Sequence, residues 1–216
     1  LPAYHNSLLT LASDEVFVLD FTSLFLLSAL KEKYGIKMDV KFVVSTNLIV
    51  TLKGELISLE SSPPSKMSLT FVGDKIQPIF YPEDYHQKQI DKYKTLLQFI
   101  AEHCIEKIIE DKVEFLAYFE SREKESPSFN CLIDNAMFCT NLRHTLITND
   151  RFILSHFGNL NPKMISPENF LLRYFRGKFS KEIVDYFVEN HYVGVLLNKE
   201  VLAAEYKKKT LNKPNS

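Results

Sequence analysis

A short apolar segment that ends in an acid is the feature that most constrains the fold of this 216-residue chain. Glu15 to Leu19 is rich in β-forming residues, and Asp20 follows it directly. A continuous apolar run of this length predicts a buried central strand. In open α/β sheets, side chains at the carboxyl ends of such strands point into the crevice where the chemistry takes place. Asp20 is therefore predicted to stand at a functional edge of a sheet.

A helix is predicted directly after this strand. Leu24 to Tyr34 carries a broad face of leucines, and Gly35 is a suitable stop just beyond it. Thr22 and Ser23 are residue types that cap helix N-termini, and they lie just before the leucine-rich segment. A strand, an acid and a capped helix in succession indicate a βα unit.

Composition is that of an ordinary globular protein. The chain is 45% hydrophobic and 25% charged, and its net charge of −1 neither supports nor excludes RNA binding through a local basic patch. No run approaches the roughly 18 apolar residues of a membrane-spanning helix, so no membrane contact is predicted and a cytoplasmic location is expected. The odd number of cysteines and their apolar neighbours predict reduced, buried thiols at Cys104, Cys131 and Cys139.

Further elements alternate along the chain. Lys41 to Ser45 predicts a second short strand, and Asn47 to Glu60 predicts a helix from its three- and four-residue leucine spacing. A long helix is predicted from Pro82 to about Glu110. Ser121 to Ser128 has the composition of a solvated linker.

A β-hairpin is predicted between the second helix and the long helix. Leu69 to Val72 and Ile76 to Phe80 are apolar runs that flank the turn-forming segment Gly73 to Lys75. Pro78 lacks a backbone N–H, so the second run is predicted to be an edge strand.

Two more acids lie where predicted elements begin or end. Asp134 stands before the apolar segment Ala136 to Leu142, and Asp150 ends the short run His144 to Asn149. With Asp20 they make three carboxylates at element termini. Three acids so placed make a hypothesis for a functional site.

Four motifs resemble, in order, those of the PIN domain family of metal-dependent ribonucleases. They are Val18-Leu19-Asp20-Phe21-Thr22-Ser23-Leu24, Asp134-Asn135-Ala136, Thr148-Asn149-Asp150 and Ile165-Ser166-Pro167-Glu168-Asn169-Phe170-Leu171. The resemblance implies a three-layer α/β/α fold with a central, mainly parallel sheet. The hairpin, the long helix and C-terminal helices are then additions. The expected organisation is a PIN-like domain over residues 1–177 with an insertion at about 65–120, and a helical extension over 178–216.

The resemblance also implies a site and an activity. Asp20, Asp134 and Asp150 would bind Mg²⁺ or Mn²⁺ and support cleavage of RNA, most simply single-stranded RNA. Ser23, Thr148 and Asn149 would support these acids. The family usually carries a glutamate about six residues after the second strand, where this chain has Thr51. Glu55, four residues further on the same helical face, is a candidate fourth metal ligand.

Each acid also has a purely structural interpretation. Asp20 and Asp134 could simply cap helices, and Glu55 could be an ordinary surface acid. A degenerate PIN-like module that binds RNA or docks a protein, through the 65–120 insertion, is therefore the main alternative to an enzyme. A nucleotide-binding α/β domain of another kind is a third possibility, but the chain lacks a glycine-rich phosphate loop.

Overall fold

The computed structural model describes residues 15–36, 38, 40, 42–72, 75–109, 127–148, 163–174, 183 and 186. The predictions for Asn149 and Asp150, and nearly all of the predicted helical extension over 178–216, lie outside these residues. The described elements, in chain order, are β1 (Phe17–Leu19), α1 (Phe21–Tyr34), β2 (Phe42–Ser45), α2 (Thr46–Ser61), β3 (Met67–Val72), β4 (Lys75–Phe80), α3 (Tyr85–His103), β5 (Cys104–Lys107), α4 (Pro127–Thr140), β6 (Thr145–Ile147), β7 (Met164–Ile165) and α5 (Pro167–Tyr174).

A five-stranded sheet forms the middle layer, in the order β5-β2-β1-β6-β7. Every neighbouring pair in it is parallel. Phe17 pairs with Phe42 on one side and with Thr145 on the other, so the central strand β1 is level with both neighbours. The predicted α/β fold with a parallel central sheet is confirmed.

Alternate residues of the central strands face different helical layers, as the two-residue period of a strand requires. Phe17, Leu19 and Ile147 belong to a large core cluster with apolar residues of α1, α2, α3 and α5. Val18, Val43 and Leu146 belong to a second cluster with residues of α4. The sheet is therefore covered on both faces, and α4 lies on the face to which Val18 and Val43 point.

The first helix begins earlier than the sequence analysis predicted. Asp20 is its N-cap and accepts a hydrogen bond from the backbone N–H of Ser23, so Thr22 and Ser23 lie in the first turn rather than before it. Gly35 ends the helix with φ of 60°, a left-handed conformation that glycine adopts without strain. Its N–H donates to the carbonyl oxygen of Lys31 at 2.8 Å, which closes the last turn.

The long helix is shorter than predicted. It ends at His103, and Cys104–Lys107 forms β5, an edge strand parallel to β2. The prediction of a helix to about Glu110 is wrong. The spacing of apolar residues continues unchanged past His103, so it gives no sign that the helix ends there. Pairing with β2, about 60 residues earlier in the chain, fixes these residues as a strand. Helix α3 and strand β5, which fall inside the 65–120 segment, are thus parts of the three-layer unit.

The second and fourth helices test two further predictions. Helix α2 covers the predicted Asn47 to Glu60 segment. Helix α4 begins at Pro127, inside the segment that was predicted to be a linker. Proline at the first helical position needs no N–H partner and has the right φ, so Pro127 is well suited to start the helix.

The prediction of buried thiols holds for Cys131 and Cys139 and only in part for Cys104. All three are free, Cys131 and Cys139 are buried, and Cys104 is half-buried. Burial raises the pKa of both Cys104 and Cys139 to about 12, so these thiols stay protonated at neutral pH. No helix in the described part of the chain is long and apolar enough to cross a membrane.

Glu15 ties the amino-terminal edge of the sheet together. Its Oε1 accepts hydrogen bonds from Thr145 Oγ1 at 2.8 Å and from Lys163 Nζ, and its Oε2 accepts one from the Tyr174 hydroxyl at 2.7 Å. Burial raises the pKa of Glu15, but the bonds from Lys163, Tyr174 and Thr145 outweigh burial and leave this pKa below its ordinary value. The ionised form is therefore favoured by folding.

A pH-dependent contribution to stability follows for Glu15. A lowered folded-state pKa stabilises the protein above the ordinary glutamate pKa of about 4.3, and the contribution is lost as pH falls through the folded-state value. We expect Glu15→Gln to reduce the free energy of unfolding at pH 7 by about 1–3 kcal/mol, because charge-assisted hydrogen bonds are lost. At pH 3 the difference from the wild type should be much smaller.

Urea unfolding of both proteins at pH 7 and pH 3 measures this difference. Glu102→Gln is the matched control, because Glu102 bonds Lys31 at 2.6 Å on the surface and should change stability little at either pH. An equal loss for Glu15→Gln at both pH values would contradict the assignment.

Candidate metal and RNA site

The carboxyl ends of β2, β1 and β6 place three polar residues side by side. The register pairs Val18 with Val43 and Leu19 with Ile147. Continuing this register by one or two residues puts Asp20 level with Ser45 at the end of β2 and with Thr148 just after β6. Adjacent strands are about 4.8 Å apart, so the backbone of Asp20 lies one strand spacing from that of Ser45 on one side and from that of Thr148 on the other.

These residues also share a face of the sheet. Asp20, Ser45 and Thr148 follow Val18, Val43 and Leu146 by two residues, and those three pack against α4. Asp134 belongs to α4, and its Oδ2 accepts a hydrogen bond from the Ser45 hydroxyl. The strand ends and α4 thus bring Asp20 and Asp134 to the same place.

Asp20 is held by a set of short hydrogen bonds. Its Oδ1 accepts from the backbone N–H of Ser23 at 2.6 Å and from Thr22 Oγ1 at 2.9 Å. The carboxyl group is only 5% exposed. Burial raises the pKa of Asp20 above its ordinary value, while hydrogen bonds from Thr148, Ser23 and Thr22 act in the opposite direction. The capping role suggested by the sequence is real, and it fixes the carboxylate at the sheet edge.

Asp134 is held by donors from β2 and α2. Besides Ser45, the side-chain amide of Asn47 donates to its Oδ2 at 2.7 Å. The backbone N–H of Asn47 in turn donates to Ser45 Oγ at 3.0 Å, which caps α2. Asp134 is 2% exposed and lies well inside α4. Its interpretation as a helix N-cap is therefore wrong, because the helix starts seven residues earlier.

Two supporting residues join the central strands at this edge. Ser23, which is fully buried, donates from its hydroxyl to the carbonyl oxygen of Ile147. The backbone N–H of Thr148 donates to the carbonyl oxygen of Ile165 at 3.0 Å, which fixes the end of β6 against β7. Two of the three predicted supporting residues, Ser23 and Thr148, thus lie beside Asp20. Asn149 and Asp150, the next two residues, lie outside the described part of the chain.

The structure does not bring Glu55 into this cluster. Glu55 is exposed on α2 and makes no hydrogen bond or ion pair among the described residues. Burial raises the pKa of Tyr93 in α3, and the charge of Glu55 raises it further, so Glu55 lies on the side of α2 that faces α3. Thr51, where the family usually has glutamate, donates its hydroxyl to the carbonyl oxygen of Asn47 at 2.8 Å.

Ser45 and Asn47 were not predicted from the sequence as site residues. A usable signal was present, because Ser45 ends its strand just as Asp20 follows the neighbouring one. Within the described residues, no group of three or more His, Cys, Asp or Glu side chains is arranged to hold a metal ion. The described carboxylates of the site are Asp20 and Asp134.

The sheet order and the acids at its carboxyl edge define the class of this protein as a PIN-like α/β/α domain. A sequence model described as a PIN domain associated with the TPR-GreAB-C-PIN system matches residues 18–157, well over half of the chain. The chain therefore belongs to this PIN domain family. Comparisons with curated proteins and with solved structures gave no match.

The family match covers three of the four motifs that carried the resemblance. It includes the positions of Asp20, Asp134 and Asp150 and the β3–β4 hairpin, and it ends before the segment Ile165 to Leu171. The resemblance to PIN domains is confirmed. The division of the chain at about residue 177 and the cytoplasmic location stay predictions.

Proposed function

We propose that this chain is a divalent-metal-dependent endoribonuclease that cleaves phosphodiester bonds of single-stranded RNA. One observation carries the proposal: Asp20 and Asp134, both buried, lie at the same face and edge of the sheet. Asp20 is level with Ser45 at the end of the neighbouring strand, and Ser45 donates a hydrogen bond to Asp134, which makes this edge a site for a cation that takes carboxylate ligands. PIN domain membership supports the same reading.

The donor set suits Mg²⁺ or Mn²⁺. Both ions prefer carboxylate oxygens, which Asp20 and Asp134 provide, and Asp150 is the proposed third ligand from the stretch just beyond Thr148. A bound ion would supply a water of lowered pKa and neutralise charge on the phosphate. The chain itself supplies orientation. Ser45 and Asn47 fix the Asp134 carboxylate, and Ser23 and Thr148 fix the Asp20 carboxylate.

A second candidate function is docking within a larger assembly without catalysis. Thr51 cannot supply the negative charge of the usual glutamate, and a neutral amide from Asn47 contacts Asp134 instead. The family description names a TPR-containing system, which is a protein-partner context. This candidate predicts a folded protein that neither binds metal nor cuts RNA.

The experiment that separates the two candidates is a cleavage assay on an end-labelled single-stranded RNA. The purified protein is incubated with Mn²⁺, with Mg²⁺, and with a chelator, and isothermal titration calorimetry measures Mn²⁺ binding to the same preparation. We expect cleavage in either metal and none in chelator, with Mn²⁺ binding that releases heat. A folded protein with neither cleavage nor metal binding would rule out the nuclease candidate and favour the docking candidate.

A further inference from the structure

The β3–β4 hairpin has two faces of opposite character. Its register sets Met67 opposite Phe80, Leu69 opposite Pro78, and Phe71 opposite Ile76. Because side chains at every second position share a face, these six form one side of the hairpin, which is entirely apolar and uncharged. We call it the hairpin face: Met67, Leu69, Phe71, Ile76, Pro78 and Phe80. The other side consists of Ser68, Thr70, Val72, Lys75, Gln77 and Ile79.

The apolar side is exposed, and so is most of the other side. Phe71 is 75% exposed and Phe80 73%. On the other side only Ser68 and Thr70 are half-buried, and the remaining four residues are exposed. A two-stranded antiparallel sheet normally covers its apolar side. The six side chains together expose on the order of 600 Å², at the upper end of the roughly 300–600 Å² that the largest apolar patch of a typical monomer covers. The hairpin face is therefore a surface that a partner would cover.

Its chemistry favours an identical face over other partners. With no charged group on it, two copies can meet without opposing like charges or burying an unpaired polar side chain. A nucleic acid would need basic groups, which the hairpin face lacks. Six side chains contribute roughly 600 Å² per copy, so two copies bury roughly 1,200 Å², the lower limit for a specific interface.

Pro78 decides what kind of assembly the hairpin can make. The turn of this hairpin lies between the paired residues Val72 and Lys75. With this register, every second residue of β4 points its backbone N–H away from β3, and Pro78 occupies one of these positions. Proline has no N–H, so the outer edge of β4 cannot add another strand. Growth into an open sheet is blocked on that side, which favours a closed two-fold dimer over a filament.

We propose that the hairpin face is a homodimer interface, in which the faces of two copies of this chain pack on each other about a two-fold axis. The proposal does not depend on the nuclease activity. Packing of two sheet faces at the usual separation of about 10 Å places Phe71 and Phe80 of each copy in the shared core.

Sedimentation velocity over a wide range of protein concentration tests the proposal. We expect the wild type to approach twice its monomer mass of 25.1 kDa as concentration rises. Phe71→Glu and Phe80→Glu should each raise the dissociation constant by at least about 100-fold, because each buries an unpaired charge. Val72→Glu is the matched control. It lies on the other side of the same hairpin with 55% exposure and should leave the dimer intact.

Thermal unfolding of each variant, at a concentration where all are monomeric, distinguishes a lost interface from a lost fold. Unchanged melting temperatures with lost association support the proposal. A wild type that stays monomeric at every concentration overturns it, as does a dimer that survives both phenylalanine substitutions. Lower melting temperatures for the phenylalanine variants, without any wild-type dimer, would show that another part of the same chain covers the face.

Discussion

Replacing Asp134 by Asn is expected to lower the rate of metal-dependent RNA cleavage by at least about 100-fold, the loss typical of removing an electrostatic group from an active site. Asparagine has the shape of aspartate and can still accept hydrogen bonds from Ser45 and Asn47, so the fold should survive. What disappears is the negative charge beside the end of β2. Asp20→Asn should behave in the same way, since its amide oxygen can still cap α1.

Two further variants sharpen the measurement. Asp91→Asn makes the same chemical change at an exposed acid of α3 and should leave the rate unchanged. Asn47→Ala keeps both carboxylates but removes one donor that orients Asp134, and an intermediate loss of about 10-fold is expected. Single-turnover rates with Mn²⁺, together with calorimetric affinities for Mn²⁺, report these effects. Wild-type rates in both aspartate variants would exclude the carboxylate pair from catalysis.

The sequence predicted the central strands and the place of Asp20 at the end of β1 because these depend on local signals. A buried central strand is a continuous apolar run, and Asp20 follows such a run directly. The same rule could have identified Ser45, the last residue of β2. Asn47 was not predictable in this way, because its contact with Asp134 joins residues 87 positions apart. Periodicity along one helix cannot reveal which side chain from another helix lies opposite it.

Two element boundaries, the end of α3 and the start of α4, were predicted wrongly because the local sequence pattern does not mark them. Strand β5 is short and has Ile105 half-exposed at the sheet edge, so its apolar spacing continues that of α3. Only pairing with β2 separates the strand from the helix. The start of α4 at Pro127 was hidden because charged residues precede it and resemble a linker. Because α4 starts at Pro127, Asp134 is a buried carboxylate inside the helix and not its N-cap.

Replacing Phe170 by Ala is expected to reduce the free energy of unfolding by about 3–5 kcal/mol, the range typical of truncating a buried phenylalanine to alanine. Phe170 is fully buried in α5. Its ring centroid lies 5.0 Å from that of Phe17 in β1 and 5.8 Å from that of Phe42 in β2. Alanine would leave a cavity between α5 and the two central strands.

Urea unfolding followed by circular dichroism measures the loss. Phe170→Leu, which keeps most of the volume, should cost clearly less than the alanine variant. Ile57→Ala, at an exposed position of α2, should change stability by no more than about 0.5 kcal/mol. A loss below about 1 kcal/mol for Phe170→Ala would mean that α5 is not part of the cooperative unit.

Phe170 is expected to support the site structurally, whereas the acids are expected to take part in the reaction. Phe170 lies in the segment Ile165 to Leu171, beyond the part of the chain that the family model matches. The carbonyl of Ile165 accepts the Thr148 N–H, so α5 and β7 support the strand end beside Asp20. Phe170→Ala should therefore lose cleavage only in proportion to its unfolded fraction, whereas Asp134→Asn should lose cleavage in a fully folded protein. Measuring the unfolded fraction and the cleavage rate of each variant on the same preparation therefore distinguishes a residue that supports the site from one that takes part in it.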